Sequence, residues 1–339
     1  MVTRPLDVLA GVATAARAVA AREAVIYLKG SFAEAAAALQ AALARASFDV
    51  PPVTVRRGED GYIAGEETAV LETLEGRRAW PRPKPPLPAA VGFHGRPTLV
   101  QNVETLARVP AAVADPVAYR ARETTLVSLW GHVRSPGIHE VPLGTSIRRI
   151  VEEQGGGAPD GIGMIFPAGP SCAPLTSSQA DVPLEPDALR AAGSALGTAA
   201  LLVIGATACP MAVGASLAGF FAREACGQCP PCVVGTANLA RVLRALESGE
   251  ARASDLAHLS EAAGFMSDHG YCAHGRTAAA AVGGLLKRFP DDVGAHLAAR
   301  GCPRPANRPD PFGPDSSERA AIEAALERAT RAHAPRDAH

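Results

Sequence analysis

Four cysteines stand at a spacing that can hold a redox metal centre. Cys226, Cys229 and Cys232 follow a C-x2-C-x2-C pattern in Glu224-Ala225-Cys226-Gly227-Gln228-Cys229-Pro230-Pro231-Cys232-Val233-Val234-Gly235-Thr236. Cys272 lies downstream in Gly270-Tyr271-Cys272-Ala273-His274-Gly275. Three thiolates so spaced can wrap one side of an iron–sulfur cubane, each reaching a different iron. The fourth iron needs a ligand from elsewhere, and Cys272 is the candidate. Gly227 and Gly235 let the backbone approach closely, and Pro231 stiffens the loop. A four-cysteine zinc site is the competing reading, although zinc usually takes its thiolates as two separated C-x2-C pairs. Cys172, Cys209 and Cys302 have no comparable neighbours in the sequence and read as ordinary thiols. His274 reads as an exposed histidine rather than a ligand or proton carrier.

For Cys272 to close the site, the chain must come back to the triplet, and residues 210–300 carry a mostly helical pattern that can return it. Ahead of them, Leu201-Leu202-Val203-Ile204 reads as a buried strand, followed by a turn and a helix opening at Pro210. A small β-rich unit precedes that strand. Thr125–His132 and Ile138–Val141 flank a Ser135-Pro136-Gly137 turn, and further strands are expected at 163–167 and 200–204. Thr145 or Ser146 caps a helix reaching about Gln154 and ending at Gly155-Gly156-Gly157. A hairpin followed by a helix and more strands suits a β-grasp module. Residues 1–78 alternate helix, strand, helix and strand (to Ala21, Ala24–Leu28, Ala33–Ala46, Val53–Arg56), which predicts an α/β layer. Pro81, Pro83, Pro85, Pro86 and Pro88 make residues 79–90 an extended connection. After Cys302 the chain is rich in Pro, Asp and Arg, with a solvated helix expected over 316–333.

The totals bound the function classes. The 339 residues suffice for two or three compact domains. A formal net charge of −1, with lysine only at Lys29, Lys84 and Lys287, gives no electrostatic footprint for nucleic acid. The uncharged stretch from Ala191 to Ala222 is long enough to span a bilayer, but Gly193, Gly197, Gly205 and Pro210 interrupt it, so no direct membrane insertion is expected. The first twenty-odd residues read as an amphipathic helix rather than a signal peptide, because Asp7 and Arg17 interrupt the apolar run. Seven cysteines, an odd number with four in metal spacing, favour a reducing compartment over a disulfide framework. The expected location is the cytoplasm.

The cysteine triplet followed by Gly235-Thr236 resembles the cluster motif of the NADH-binding flavoprotein subunit of respiratory complex I. Related chains occur in NAD-linked hydrogenases and formate dehydrogenases. Further stretches agree: Gly61-Tyr62-Ile63-Ala64-Gly65-Glu66-Glu67-Thr68-Ala69 with Glu75-Gly76, then Pro81-Arg82-Pro83-Lys84-Pro85-Pro86, Gly95-Arg96-Pro97-Thr98 and Asn102-Val103-Glu104-Thr105. Gly131-His132-Val133 with Pro136-Gly137 and Glu140-Val141-Pro142-Leu143-Gly144 resembles the opening of the family's β-grasp domain. The likeness runs from about residue 5 to residue 298. It implies a partial FMN- and NADH-binding α/β domain over 1–110 and a β-grasp domain over 111–206. A helical 4Fe-4S domain over 207–300 and a Pro/Arg-rich tail over 301–339 would follow. It assigns the cluster to Cys226, Cys229, Cys232 and Cys272, and flavin or NADH contacts to Tyr27, Gly65, Glu66, Glu67, Asn102 and Thr105. The competing reading of Glu66 and Glu67 is a helix cap, their carboxylates facing its positive end; both readings stay open.

The family's N-terminal Gly-rich segment and the acidic segment after it have no counterpart in this sequence. Arg57-Gly58-Glu59-Asp60-Gly61 replaces a glycine–alanine run, and Glu59 and Asp60 are poor neighbours for a flavin phosphate. The expected function is an iron–sulfur electron-transfer component of an NADH dehydrogenase-type oxidoreductase, working with other redox subunits. Single electrons would pass from a flavin site to partner centres, since hydride brings two electrons and a cubane takes one. Autonomous NADH oxidation is left open. The alternative is a degenerate subunit whose cluster is structural and whose role is to bind partners, and a zinc-binding interaction module is a third reading.

Overall fold

The structure is a computed structural model that describes residues 1–46, 51–299, 301–317, 320, 323–324 and 327. It divides into two compact units, one of Met1–Glu123 and one beginning at Thr124.

The first unit opens with helix α1 (Pro5–Ala18), strand β1 (Ala24–Lys29), helix α2 (Ala33–Leu43) and strand β2 (Val53–Gly58). β1 and β2 pair in parallel, Ala24 opposite Val53 through Lys29 opposite Gly58, so α2 is the crossover that a parallel pair requires. Val8, Leu9 and Val12 of α1 pack with Ile26, Leu28 and Leu39 into one buried cluster. Helix α3 (Glu67–Leu74) follows, then an irregular segment, then helices α4 (Val103–Ala114) and α5 (Pro116–Ala121). Gly11 is what brings α1 against α4: a Cβ there would lie 1.8 Å from the Leu106 carbonyl oxygen.

The irregular, proline-rich segment is pinned by charge. Arg82 reaches Glu72 at 2.5 Å and Glu75 at 3.0 Å, and Arg77 also pairs with both acids. Arg77 and then Arg82 hold the Glu72 carboxyl down to about 2. Lys84 reaches Glu66 at 2.6 Å and also pairs with Glu67.

The second unit holds strands β3 (Thr124–Gly131) and β4 (Gly137–Pro142), helix α6 (Ile147–Glu153), strands β5 (Ile162–Phe166) and β6 (Leu175–Thr176), helix α7 (Pro186–Ala191) and strand β7 (Leu202–Gly205). The sheet order is β4-β3-β7-β5-β6, with β3 and β7 parallel and the other pairs antiparallel. Ser146 caps α6, its Oγ accepting from the Arg149 N–H. The two-residue β6 was not visible in the sequence pattern; only its pairing with Met164 and Ile165 defines it.

Among the described residues the unit continues with helices α8 (Pro210–Arg223), α9 (Pro230–Ser248), α10 (Ala253–His269), α11 (Ala273–Arg288) and α12 (Pro290–Ala299). Side chains alternate along each strand, so the sheet has two buried faces. Val127, Leu129, Ile165 and Val203 join Ile147, Ile150 and Val151 of α6 in one core. Met164, Phe166, Leu202 and Ile204 join Met211, Leu217, Leu243 and Leu285 of the bundle in the other. The sheet and the helical bundle therefore share a core.

No helix among the described residues is long and apolar enough to cross a membrane. Most of the helix expected over 316–333 lies outside the described residues.

Candidate iron–sulfur centre and flavin cavity

The cysteines are placed by helix starts. Cys229 is the N-terminal cap of α9, in extended backbone, and Pro230 and Pro231 supply the fixed φ angles of the first turn. Cys232 sits within that turn, its N–H bonded to the Cys229 carbonyl at 3.1 Å. Cys272 is the N-terminal cap of α11. Neither cap side chain bonds the first turn of its helix; at α9 Pro230 and Pro231 have no N–H, and the Cys229 carbonyl takes the N–H groups of Cys232 and Val233. Both starts therefore leave their cap thiol free of a capping role, and a helix N-terminus favours negative charge. Cys226 lies in the α8–α9 loop before Gly227, whose φ of +89° is left-handed backbone that L side chains rarely adopt. The Gln228 amide donates to the Cys226 Sγ at 3.6 Å.

Cys229 and Cys232 are buried, while Cys226 and Cys272 are partly exposed. Burial, with Cys229, Cys272 and Cys226 as charged neighbours, pushes the Cys232 thiol up to about 12. Four thiolates cannot share this place without a compensating cation. The donor set fits a cluster that removes the protons on binding.

Met266 on α10 sets the separation of the two cysteine-bearing helices. A Cβ on Gly235 of α9 would lie 2.7 Å from its Sδ, and one on Gly275 of α11 would lie 2.8 Å from its Cγ. Met266 is fully buried. His274 is also buried, at 5% exposure, which corrects the expectation of an exposed histidine. Its Nε2–H donates to the Phe221 carbonyl at 2.9 Å, tying the start of α11 to the end of α8. Its ring packs edge-on against Phe221, with centroids 5.3 Å apart. Burial pushes its pKa down and keeps it neutral.

In the first unit a cavity of about 1090 Å³ is lined by Tyr27, Lys29, Gly65, Glu67, Arg96 and Asn102, among others. Four of the residues assigned to flavin contacts therefore reach it: Tyr27, Gly65, Glu67 and Asn102. Glu66 does not line it. Its carboxylate caps α3, accepting from the N–H groups of Thr68 at 2.8 Å and Ala69 at 3.0 Å. Glu67 is the first residue of α3 and pairs with Lys84, so only Glu66 takes the capping role. Asn102 caps α4 through Oδ1, which accepts from the Glu104 N–H at 2.8 Å. Thr105 is exposed on α4, away from the cavity lining. Among the described residues the Tyr27 hydroxyl has no hydrogen-bond partner, and it is buried against Gly58. Of the two acids expected to disturb a flavin phosphate, Asp60 is engaged by the Ser31 N–H at 2.9 Å and its hydroxyl at 2.8 Å. Glu59 remains on the cavity lining.

One grouping is invisible in the sequence. Cys209 and Cys302, read as ordinary thiols, converge with His296. Their spacing along the chain carries no signal, so only the fold reveals it.

Residues 212–296 match the NADH-ubiquinone oxidoreductase-F iron–sulfur binding region, and residues 1–111 match the Nuo51 FMN-binding domain. An F-type subunit of NADH-quinone oxidoreductase from Rhizobium meliloti (strain 1021) is 36% identical over 321 residues, covering 88% of this chain and 76% of that protein. The F-type subunit of NADH-quinone oxidoreductase from Escherichia coli (strain K12) is 36% identical over 310 residues, covering 85% and 69%. Among solved structures, an NAD+-reducing [NiFe]-hydrogenase in the air-oxidized state superposes with a TM-score of 0.80 at 30% identity. That match covers 96% of this chain and 56% of the hydrogenase chain, so this chain spans about half of its length. With both family regions matched and relatives similar over most of their length, the chain belongs to the family of F-type subunits of NADH-quinone oxidoreductase.

Proposed function

We propose that the chain is the electron-entry component of an NADH dehydrogenase-type oxidoreductase. It passes single electrons from a flavin site to redox centres on partner subunits, through a 4Fe-4S cluster held by Cys226, Cys229, Cys232 and Cys272. The observation that carries this reading is the convergence of four thiols on the starts of α9 and α11. A C-x2-C-x2-C triplet with one remote cysteine suits a cubane, whereas zinc usually takes its thiolates as two separated C-x2-C pairs.

When bound, a flavin accepts hydride as an electron pair and gives electrons up singly. The cavity of the first unit is the place proposed for it. Tyr27 lines it, and Lys29 and Arg96 offer positive charge to a phosphate. The sheet order β4-β3-β7-β5-β6, with β3 parallel to β7, supports the β-grasp reading of residues 111–206. The reading of 1–110 as flavin domain and 207–300 as cluster domain, and the cytoplasmic setting suggested by an odd number of cysteines with four in metal spacing, belong to the same proposal.

The test is anaerobic purification with iron, sulfide and flavin assays, and EPR after reduction by NADH or by dithionite. About four irons and four sulfides per chain, with a signal altered in Cys229→Ser, are expected. Reduction by dithionite but never by NADH, with partner subunits present, would favour a structural cluster in a scaffold subunit. Zinc in place of iron would refute the electron-transfer reading.

A further inference from the structure

Three side chains from distant parts of the chain meet at the opposite end of α8 from the cysteine triplet. The donor atoms of Cys209, His296 and Cys302 all lie within 4.8 Å of one another. Cys209 is the N-terminal cap of α8 and is fully buried. Its Sγ is 3.3 Å from the Nε2 of His296, which is itself fully buried on α12. The His296 Nδ1 lies 2.7 Å from the Asp292 carbonyl one turn earlier. A carbonyl only accepts, so Nδ1 carries the hydrogen, and Nε2 presents its lone pair to the two sulfurs. Cys302 is partly exposed and receives the Arg304 N–H at 3.4 Å.

We propose that Cys209, His296 and Cys302 bind a zinc-class divalent cation as a second metal site, separate from the cluster. Two thiolates and an imidazole are the donor set that zinc prefers, and a histidine whose far nitrogen is fixed by a carbonyl is the usual arrangement around such a metal. Binding displaces one proton from each thiol. The two thiolate charges then neutralise the cation, which burial demands. Cys302 is the one partly exposed ligand of the three, so a water can supply the fourth donor. Hydrogen bonds of Cys209 with His296 and with Cys302 are the competing account of the grouping, and a metal bound by all three groups is what tells the two apart.

The surroundings give the site a task. Arg304 donates to the Ala208 carbonyl at 3.0 Å and pairs with Asp292 at 3.0 Å. The Asn307 carbonyl accepts from the Cys209 N–H at 2.9 Å, and Arg308 pairs with Glu247 at 2.7 Å. Further on, the Phe312 N–H donates to the Ser216 Oγ at 2.9 Å, and its ring packs edge-on against Phe166, with centroids 5.5 Å apart. The metal would fasten the segment after α12 across α8. Since α8 has 14 residues, the site lies about 20 Å from the cysteine triplet at 1.5 Å per residue.

The experiment is metal analysis of the full chain purified anaerobically, with X-ray absorption at the zinc edge. About one zinc per chain is expected, with two sulfurs at about 2.3 Å and a nitrogen at about 2.0 Å in its shell. Cys302→Ser and His296→Gln should each lower the zinc content severalfold while leaving the iron content unchanged. If those variants fold poorly, the wild-type absorption spectrum still decides. Failure to bind added zinc with thiols reduced would overturn the proposal. So would a Cys209–Cys302 disulfide in protein kept anaerobic, or zinc in an all-sulfur shell. The last would place zinc on the cysteine motif, and the iron assay tells that failure of the cluster reading apart from failure of this one.

Discussion

Met266 packs against two glycines, one after the cysteine triplet and one after the remote cysteine, so its volume and theirs are matched (Gly235 follows Cys232, and Gly275 follows Cys272). Gly275→Ala should destabilise the second unit by about 1–3 kcal/mol through overpacking. A double-mutant cycle with Met266→Ala should recover part of that loss, because the two residues share one space. Thermal melts of the four proteins check this; strictly additive effects would contradict it. Glu72 supplies a pH test. Its folded value lies below the ordinary 4.5, so its pairing with Arg77 and Arg82 stabilises above pH 4.5 and is lost as pH falls toward 2. The stability difference between wild type and Glu72→Gln should shrink across that window, as measured by denaturant melts at successive pH values. The cysteine triplet was legible as a motif because its ligands fall within one turn and a loop. His274 was misread because a lone polar residue after Gly270-Tyr271-Cys272 shows no periodicity, and only its bond to Phe221 reveals its burial. Cys209, His296 and Cys302 were illegible for a related reason: their meeting depends on α8 and α12 lying together.

At the scale of elements, the order α1-β1-α2-β2 was readable from the alternation of helical and strand patterns, though the parallel pairing itself was not, and α8 was readable from Pro210 and the apolar run. Strand β6 was not, since two residues carry no period. The contact of α1 with α4 was likewise hidden, although Gly11 enforces it. Gly11→Ala should separate these helices and cost about 1–3 kcal/mol in the first unit. Loss of amide protection in α1 and α4 under hydrogen exchange would report it, and a protection pattern equal to wild type would refute the close approach. The starts of α9 and α11 show how one element feature serves two ends. At α9 Pro230 and Pro231 begin the helix and the Cys229 carbonyl takes the N–H groups of Cys232 and Val233, and at both starts the cap residue is itself a cysteine of the motif.

Over the whole molecule, the two units have separate cores, whereas the sheet and the bundle of the second unit share one. Calorimetry should therefore resolve two transitions rather than three. Removing iron by chelation should lower the transition that contains β3–β7 together with α8–α12 and leave that of the first unit in place, since a ligand stabilises what it binds. Three separate transitions would show that the sheet folds apart from the bundle.

Strand β7 carries a consequence of that shared core. Leu201 and Val203 face α6, while Leu202 and Ile204 face the bundle, so every residue along this stretch is apolar and buried. Slipping by one residue would exchange greasy side chains for greasy side chains, and polarity would raise no objection. The correct alignment must be written outside the strand. It is found in the Trp130 and His132 N–H groups, which donate to the carbonyls of Leu201 at 3.1 Å and Val203 at 2.8 Å, and in the His132 Nδ1, which takes the Gly205 N–H at 2.9 Å. A strand with an almost uniform text is thus read in frame by a histidine at its end.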